Sequence, residues 1–443
     1  MAETKIIVLD DDPTGSQTVH SCLLLTRWDV ATLEIALRDP APLFFVLTNT
    51  RGMAAERASA LTREVCQNLR LALRQREQAG QPLQPILVSR SDSTLRGHYP
   101  VETDVMAEEL GPFDAHFLVP AFFEGGRITR DGVHYLLQNG VEIPVHETEF
   151  ARDSVFAFHH SRLADYVAEK TRGRIPASAV QPFSLAEIRA GCLPKLLALH
   201  DNTCCVVDAE RADDLDRFCA DLRVAVAQGK RFLFRSAASL LTSLAQLPPQ
   251  PVAAAEMSRL VRGGRAGAIL VGSHVRKTTE QLEVLLQEPG LCPMEIDVDA
   301  CQGAARPVLL RDVLARAASA HGDGLDVVLY TSRSERRFAD QATRLAFGQA
   351  VSAFLMEVVQ GLPSSLGFLI SKGGITSNDV LSSGLALRTA RVMGQILPGC
   401  SVLRCPADHP RFPELPVVIF PGNVGDAGSL ALARQRLRGA HPA

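Results

Sequence analysis

The chain is predicted to be an α/β protein of two domains, each built on a mainly parallel sheet flanked by helices. Three observations predict this. Short β-branched and aromatic runs alternate with runs of helical period almost throughout, the rhythm of βαβ units. That rhythm breaks once, at Leu247-Pro248-Pro249-Gln250-Pro251 and Gly263-Gly264-Arg265-Ala266-Gly267, which neither a helix nor a central strand tolerates. And 443 residues exceed one ordinary core. The expected division is residues 1–247, a linker over 248–266, and residues 267–443.

In chain order, Lys5–Leu9 reads as a buried strand that delivers Asp10, Asp11 and Asp12 to its carboxyl end. Cys22–Thr26 and Leu43–Thr48 are short apolar strands. Between Ala54 and Gln78, Ala58, Leu61, Val65, Leu69 and Leu73 recur at helical spacing, and Gly80 and Pro82 stop the helix. Ile86–Ser89, Ala115–Val119, Thr203–Asp208 and Arg231–Arg235 are further strands, with helices over Ser161–Thr171 and Asp213–Val226.

The second half restarts the pattern. Strands are expected at Ala268–Gly272, Met294–Val298, Val327–Thr331, Leu366–Ser371 and Val417–Phe420. Helices are expected from about Thr278, over Pro307–Ala320, from about Arg336 to Gln360, over about Asn378–Leu387 and at the end of the chain.

Composition narrows the function classes. Charges of both signs are mixed with 46% hydrophobic residues, a soluble globular composition. The net charge of −3 offers no electrostatic footprint for nucleic acid. Arg-rich stretches at Arg63–Arg76 and Arg434–Arg438 read as solvated helix faces. The ten cysteines show neither C-x-x-C pairs nor zinc spacing, so free, mostly buried thiols are expected. No apolar leader and no membrane-length run is evident, which points to the cytoplasm.

Six loops could carry chemistry. Three adjacent acids at Asp10–Asp12 cannot be buried cheaply without a cation or donors. Asp10 itself reads as a strand-end residue that caps its turn, whereas Asp11 and Asp12 are candidates to meet a ligand. Ser89-Arg90-Ser91-Asp92-Ser93-Thr94-Leu95-Arg96-Gly97-His98 mixes hydroxyls, a carboxylate and two guanidinium groups. That set suits a small polyol acid, with Arg taking the carboxylate and Ser, Thr and Asp reading hydroxyls; the plainer alternative is a helix-capping turn.

Glu124-Gly125-Gly126-Arg127 adds a second candidate for an anion, or a hairpin turn leading to Val141–Val145. Gly272-Ser273-His274, Lys372-Gly373-Gly374-Ile375-Thr376-Ser377 and Pro421-Gly422-Asn423-Val424-Gly425-Asp426 end strands of the second half. Together they make a plausible phosphate cradle, although none is a Walker A or G-x-G-x-x-G loop. His98 and His274 are candidates to touch ligand. His20 and His159-His160 read as ordinary surface or half-buried residues.

In order and spacing, these motifs resemble the four-carbon acid sugar kinases, the 3-oxo-tetronate, threonate and erythronate 4-kinase family, over nearly the whole chain. The carriers are Asp11-Asp12-Pro13-Thr14-Gly15, Asp92-Ser93-Thr94-Leu95-Arg96-Gly97, Pro120-Ala121 with Gly126-Arg127, Gly373-Gly374-Ile375-Thr376-Ser377 and Gly422-Asn423-Val424-Gly425-Asp426. The resemblance implies ATP- and Mg2+-dependent phosphorylation of the 4-hydroxyl of a tetronate. The amino-terminal domain would bind the sugar acid, the carboxyl-terminal domain ATP, and the active site would lie between them.

Asp11, Asp12, Thr14, Gly15, Asp92, Ser93, Arg96 and Gly97 would then hold substrate beside Arg90 and Arg127, with Asp12, Asp11 and Arg96 as the catalytic candidates. Ser273, Gly373, Gly374, Ile375, Thr376 and Gly422 would contact ATP, joined by Asn423, Gly425 and Asp426 of the same motif. The metal ligands stay unassigned.

The chain departs from the family pattern at Asp10, Pro13, Arg90, His98 and Ile375. Four of these lie in the substrate half, so the acceptor need not be a known tetronate. A kinase for another hydroxy acid, a non-catalytic sugar-acid or nucleotide sensor, and a metal-using hydrolase or lyase are the rivals. The partners expected are a small sugar acid and ATP, with neither nucleic acid nor membrane, and a homodimer is a compatible assembly.

Overall fold

A computed structural model describes residues 3–138, 140–273, 275–333, 336, 338, 340–422 and 424–439. The chain divides after Pro249 into two compact units, Met1–Pro249 and Gln250–Ala443. No helix among the described residues is long and apolar enough to cross a membrane.

The first unit carries the strands β1 (Glu3–Asp10), β2 (Leu23–Leu25), β3 (Leu43–Leu47), β4 (Leu83–Arg90), β5 (Ala115–Val119), β6 (Arg127–Arg130), β7 (Val133–Gln138), β8 (Val141–Pro144), β9 (Gln181–Phe183), β10 (Thr203–Val207) and β11 (Phe232–Ser236). Eight of these form a parallel sheet in the order β2-β3-β1-β4-β11-β5-β10-β9; β6, β7 and β8 form a separate antiparallel sheet.

Central strands of a parallel sheet are covered on both faces, which is why β1, β3, β4, β5 and β11 each carry a buried apolar run, such as Ile6–Leu9 in β1 and Ile86–Val88 in β4. One face packs on the 24-residue helix Ala55–Gln78, through Leu61, Val65, Leu69 and Ala72 against Ile7, Phe44 and Leu87. Around Phe117, four more phenylalanines (Phe183, Phe218, Phe232 and Phe234) stack or meet edge to face.

Topology sets where a ligand can bind. From β1 the chain moves to β2 and β3 on one side, then crosses to β4 on the other. The carboxyl end of β1 is therefore a switch point, the crevice where open α/β sheets bind ligands. In register, Asp10 lies beside Leu47 and Arg90, and Arg90 beside Ser236.

The second unit carries β12 (Ala268–Val271), β13 (Leu291–Ile296), β14 (Asp326–Thr331), β15 (Leu369–Lys372), β16 (Thr389–Leu397), β17 (Cys400–Arg404) and β18 (Pro416–Phe420), in the order β13-β14-β12-β15-β18-β17-β16. The first five are parallel; β17 and β16 run antiparallel as a hairpin. Here β12 is the switch strand, with β14 on one side and β15 on the other.

Some expectations need correction. The β16–β17 hairpin was not expected, although Thr389–Leu397 alternates half-buried and buried residues with period two. The long helix spans Gln341–Gly361, starting where Asp340 accepts from the Thr343 N–H, rather than at Arg336. The helix expected from Asn378 begins at Gly374 and passes into a single wide turn over Val380–Gly384.

Nor is the Arg434–Arg438 stretch a solvated face. Asp326, fully buried, accepts from Arg434 Nε at 2.6 Å, from Arg438 Nε at 3.0 Å and from the Gly267 N–H at 2.7 Å. Those arginines pin the last helix to the sheet. Arg76 of the other stretch is buried too, whereas Arg63 meets Glu108 and Glu109 at the surface.

Candidate functional site

The acid cluster at the end of β1 carries its own counter-charge. Arg51, on a short 3-10 turn after β3, reaches Asp11 Oδ1 at 2.5 Å and Oδ2 at 3.2 Å, and Asp12 Oδ2 at 3.2 Å. Ser91 donates to Asp11 Oδ2 at 3.0 Å, so both Asp11 oxygens are engaged. The backbone ties the same pieces together, with Asp11 N–H donating to Arg90 O and Arg51 N–H to Asp11 O.

Asp12 sits differently. Its Oδ1 accepts from the Thr14 N–H at 2.8 Å and the Thr14 hydroxyl at 2.5 Å, closing an Asx turn. Its side chain is 22% exposed, against 2% for Asp11. Burial raises the pKa of Asp12, but Arg51 and Thr14 outweigh it and hold the carboxyl below its usual range.

Asp10 is the opposite case. It is fully buried, and burial pushes its pKa from 3.8 up to about 8 although Arg90 lies 3.6 Å away. Its Oδ2 has no hydrogen-bond partner among the described residues. Gly15 explains the fit: a Cβ there would lie 1.9 Å from that oxygen, so only glycine lets the Pro13–Gly15 turn close over Asp10.

The Asp92–His98 loop stands beside this cluster. Asp92 accepts from Arg96 Nε at 2.8 Å and from the Thr94 hydroxyl. Burial opposes its ionisation, yet Arg51 and Arg96 hold it well below the usual carboxylate range. Arg96 also lies 3.7 Å from Asp153 and over the Phe150 ring. Ser93 contributes its carbonyl to His134 Nε2 at 2.8 Å, while the Thr129 hydroxyl meets His134 Nδ1 at 2.9 Å. Burial pushes His134 down to about 4, so it is a neutral strut.

Gly97, at φ +115°, passes so close to Arg235 and Ser91 that a Cβ would lie 2.6 Å from each. Arg127 donates Nη1 to Gly125 O at 2.6 Å, and burial lowers its pKa. Its Nε has no partner among the described residues. The structure thus gathers Asp11, Asp12, Thr14, Gly15, Arg90, Asp92, Ser93, Arg96, Gly97 and Arg127 around the carboxyl ends of β1 and β4.

His98 does not join them as a ligand-facing group. Its ring is buried, with Nε2 donating to the Thr50 and Met53 carbonyls at 3.1 and 3.0 Å. Arg51 and Arg235 were missed by the sequence reading. Arg235 pairs with buried Glu102 and donates to Ser89 Oγ at 2.7 Å, with Nη2 unpartnered among the described residues.

In the second unit, two loops meet at the switch strand. A Cβ at Gly272 would lie 2.3 Å from Thr376 Oγ1, and one at Gly373 (φ +116°) 3.3 Å from Ser273 Cβ. Ser273 also gives its carbonyl to Arg333 Nη2 at 2.7 Å. Ile375 is 79% exposed beside them. The third loop is fixed from within: Asp426 accepts from the Gly428 N–H and the Ser429 hydroxyl, and Gln281 holds the Val424 and Asp426 carbonyls. Gly425 takes φ +80°, and Gly422 has open space where a side chain would stand. Asn423 and His274 lie outside the described residues.

Comparison with known proteins places these two regions in context. Residues 6–244 match the model of a sugar-binding N-terminal domain, and residues 268–430 that of a nucleotide-binding C-terminal domain. A D-threonate kinase from Bordetella bronchiseptica is 26% identical, covering 97% of each chain. A D-erythronate kinase from Heliobacterium modesticaldum is 28% identical over 67% of this chain, a match that spans 64% of that kinase's length. Among solved structures, a DUF1537 protein from Haemophilus influenzae shares the fold with TM-score 0.65 at 16% identity, over 97% of this chain and all of that one.

Proposed function

Because this chain belongs to the four-carbon acid sugar kinase family, we propose that it transfers the γ-phosphoryl group of ATP to a hydroxyl of a four-carbon sugar acid, the 4-hydroxyl of a threonate, erythronate or 3-oxo-tetronate. The first unit holds the acid and the second the nucleotide. The observation that carries the reading is the Asp12 side chain, the more open of two carboxylates that share Arg51, at the sheet's switch point.

Each residue has a distinct part. Arg51 and Ser91 occupy Asp11, so Asp11 fixes Arg51 and the loop. Asp12 keeps a negative charge and orients the acceptor hydroxyl, the work a carboxylate does in phosphoryl transfer. Held below its usual pKa, it is a weak base, so it positions the nucleophile and takes its proton late. Arg96 is occupied by Asp92 and Asp153, whereas Arg127 has no carboxylate bonded to it among the described residues. Arg127 is therefore the better anchor for the substrate carboxylate. Thr14, Ser93 and the Gly15 and Gly97 backbone read the hydroxyls.

On the second unit, Gly272 and Gly373 let the two loops pack against each other at Thr376 and Ser273, and Gly422, with open space where a side chain would stand, lets backbone approach a polyphosphate. Mg2+ bound with ATP would neutralise phosphate charge. Among the described residues no group of three or more His, Cys, Asp or Glu could hold a metal ion. Mg2+ that accompanies a nucleotide is usually held by phosphate oxygens, waters and one or two carboxylates. The experiment is ADP release by the purified chain with ATP, Mg2+ and a panel of four-carbon acids.

A further inference from the structure

Lys372 is the last residue of β15, immediately before Gly373-Gly374, and its side chain is fully buried. Nζ donates to Pro421 O at 2.6 Å and to Gly422 O at 3.3 Å, and it lies 4.2 Å from the centre of the Phe420 ring. Gly422 O also accepts from Thr278 Oγ1 at 3.4 Å. A single ammonium thus ties the loop after β18 to the loop after β15.

Among the described residues no carboxylate pairs with Lys372. The groups that face it are the Phe420 ring and two carbonyls from the β18 end, the Cys400 thiol of β17 and the Lys277 ammonium of the helix Arg276–Leu285. Burial pushes the Cys400 thiol up to about 12, so it is neutral, and Lys277 repels. Burying a lysine among such neighbours is unfavourable unless an anion comes to it.

We propose that Lys372 is a positioning residue for the nucleotide polyphosphate, which supplies the anionic partner that its buried ammonium lacks. The inference rests on the reading of the second unit as the ATP site. Lys372 need not touch phosphate. It holds the Gly422 backbone in place, and the polyphosphate on these loops stabilises its charge through a low-dielectric layer. The same burial lowers the Lys372 pKa from 10.5 to about 7 in the free protein. Nucleotide binding should therefore draw a proton onto the protein, and affinity should fall as pH rises above 7.

The test is calorimetric titration of the full chain with a non-hydrolysable ATP analogue at pH 6, 7 and 8, in buffers of different ionisation enthalpy. Wild type is compared with Lys372→Met and Lys372→Arg, which separates the protein's proton from the analogue's own. Wild type should take up a proton near pH 7.5 and lose about tenfold in affinity from pH 6 to 8, since one pKa unit is tenfold. Lys372→Met should bind about tenfold more weakly at pH 6, with the KM for the sugar acid unchanged, and Lys372→Arg should keep the charge and lose the pH dependence.

If Lys372→Met does not fold, wild type against Lys372→Arg decides: wild type should take up about one proton more than Lys372→Arg near pH 7.5, and equal uptake would overturn the inference. Equal affinity and equal proton uptake in wild type and Lys372→Met would overturn the inference and leave the ATP reading standing. Wild type that binds sugar acid but no analogue would overturn both.

Discussion

The carboxyl ends of β1 and β15 carry opposite charges and solve burial in opposite ways. At β1, Asp12 and Asp92 are held ionised by guanidinium groups from the same unit, chiefly Arg51 and Arg96, and Arg51 also grips both oxygens of Asp11. At β15, Lys372 has carbonyls and an aromatic ring but no carboxylate bonded to it among the described residues. A site that receives a small, singly charged acid needs its field balanced beforehand, so that a few donors decide recognition. A site that receives a polyphosphate can leave one positive charge uncompensated, because the ligand brings the excess anion.

The largest expected effect comes from breaking the balance at β1. Arg51→Ala leaves buried Asp11 without its bidentate partner, and removing one member of a buried pair costs about 3–5 kcal/mol. Urea unfolding followed by a probe in the first unit should show that loss, with turnover abolished. An unfolding midpoint equal to wild type would show that Arg51 is not the counter-charge. Next, Asp12→Asn should lower kcat by about 10²- to 10⁴-fold while the melting temperature stays near wild type, because Asp12 is the more open member.

A smaller effect belongs to the loops proposed to hold the nucleotide. Gly373→Ala puts a side chain at φ +116°, 3.3 Å from Ser273 Cβ. It should raise the KM for ATP several-fold more than the KM for the acid, measured by varying each substrate at saturation of the other. Equal changes in both would count against the division of labour.

The smallest effects sharpen the comparison through pH. Asp10 is raised from 3.8 to about 8 in the folded chain. Between those values the folded state holds a proton that the unfolded state has released, so its contribution to stability falls as pH rises. Lys372 is lowered from 10.5 to about 7. Between those values the unfolded state binds the extra proton, so its contribution rises with pH. Asp10→Asn should therefore gain on wild type from pH 5 to 8, and Lys372→Met should gain most at pH 7 and below. Melting temperatures in matched buffers check both slopes.

Much of this could be read from the chain because local patterns dictate it. The apolar run before Asp10, the helical spacing from Ala58 to Leu73, and glycine at strand ends all express burial and backbone geometry within a few residues. Partners brought by topology could not be read this way. Arg51 arrives from a turn about forty residues on, because β3 pairs with β1, and Arg235 arrives because β11 pairs with β4. The loop motif included Lys372, but no local pattern showed that its side chain would be buried.

His98 misled for the converse reason: it lies in the right loop but is turned into the core. The Arg434–Arg438 stretch looked solvated because buried Asp326 lies more than a hundred residues away in sequence.

The most direct test of the central claim is ADP release with ATP and Mg2+ across D- and L-threonate, D- and L-erythronate and 3-oxo-tetronate, run beside Asp12→Asn. The account predicts acid-dependent ADP release with at least one of these, lost in the variant. Release that is independent of any acid, or that persists unchanged in Asp12→Asn, would contradict it.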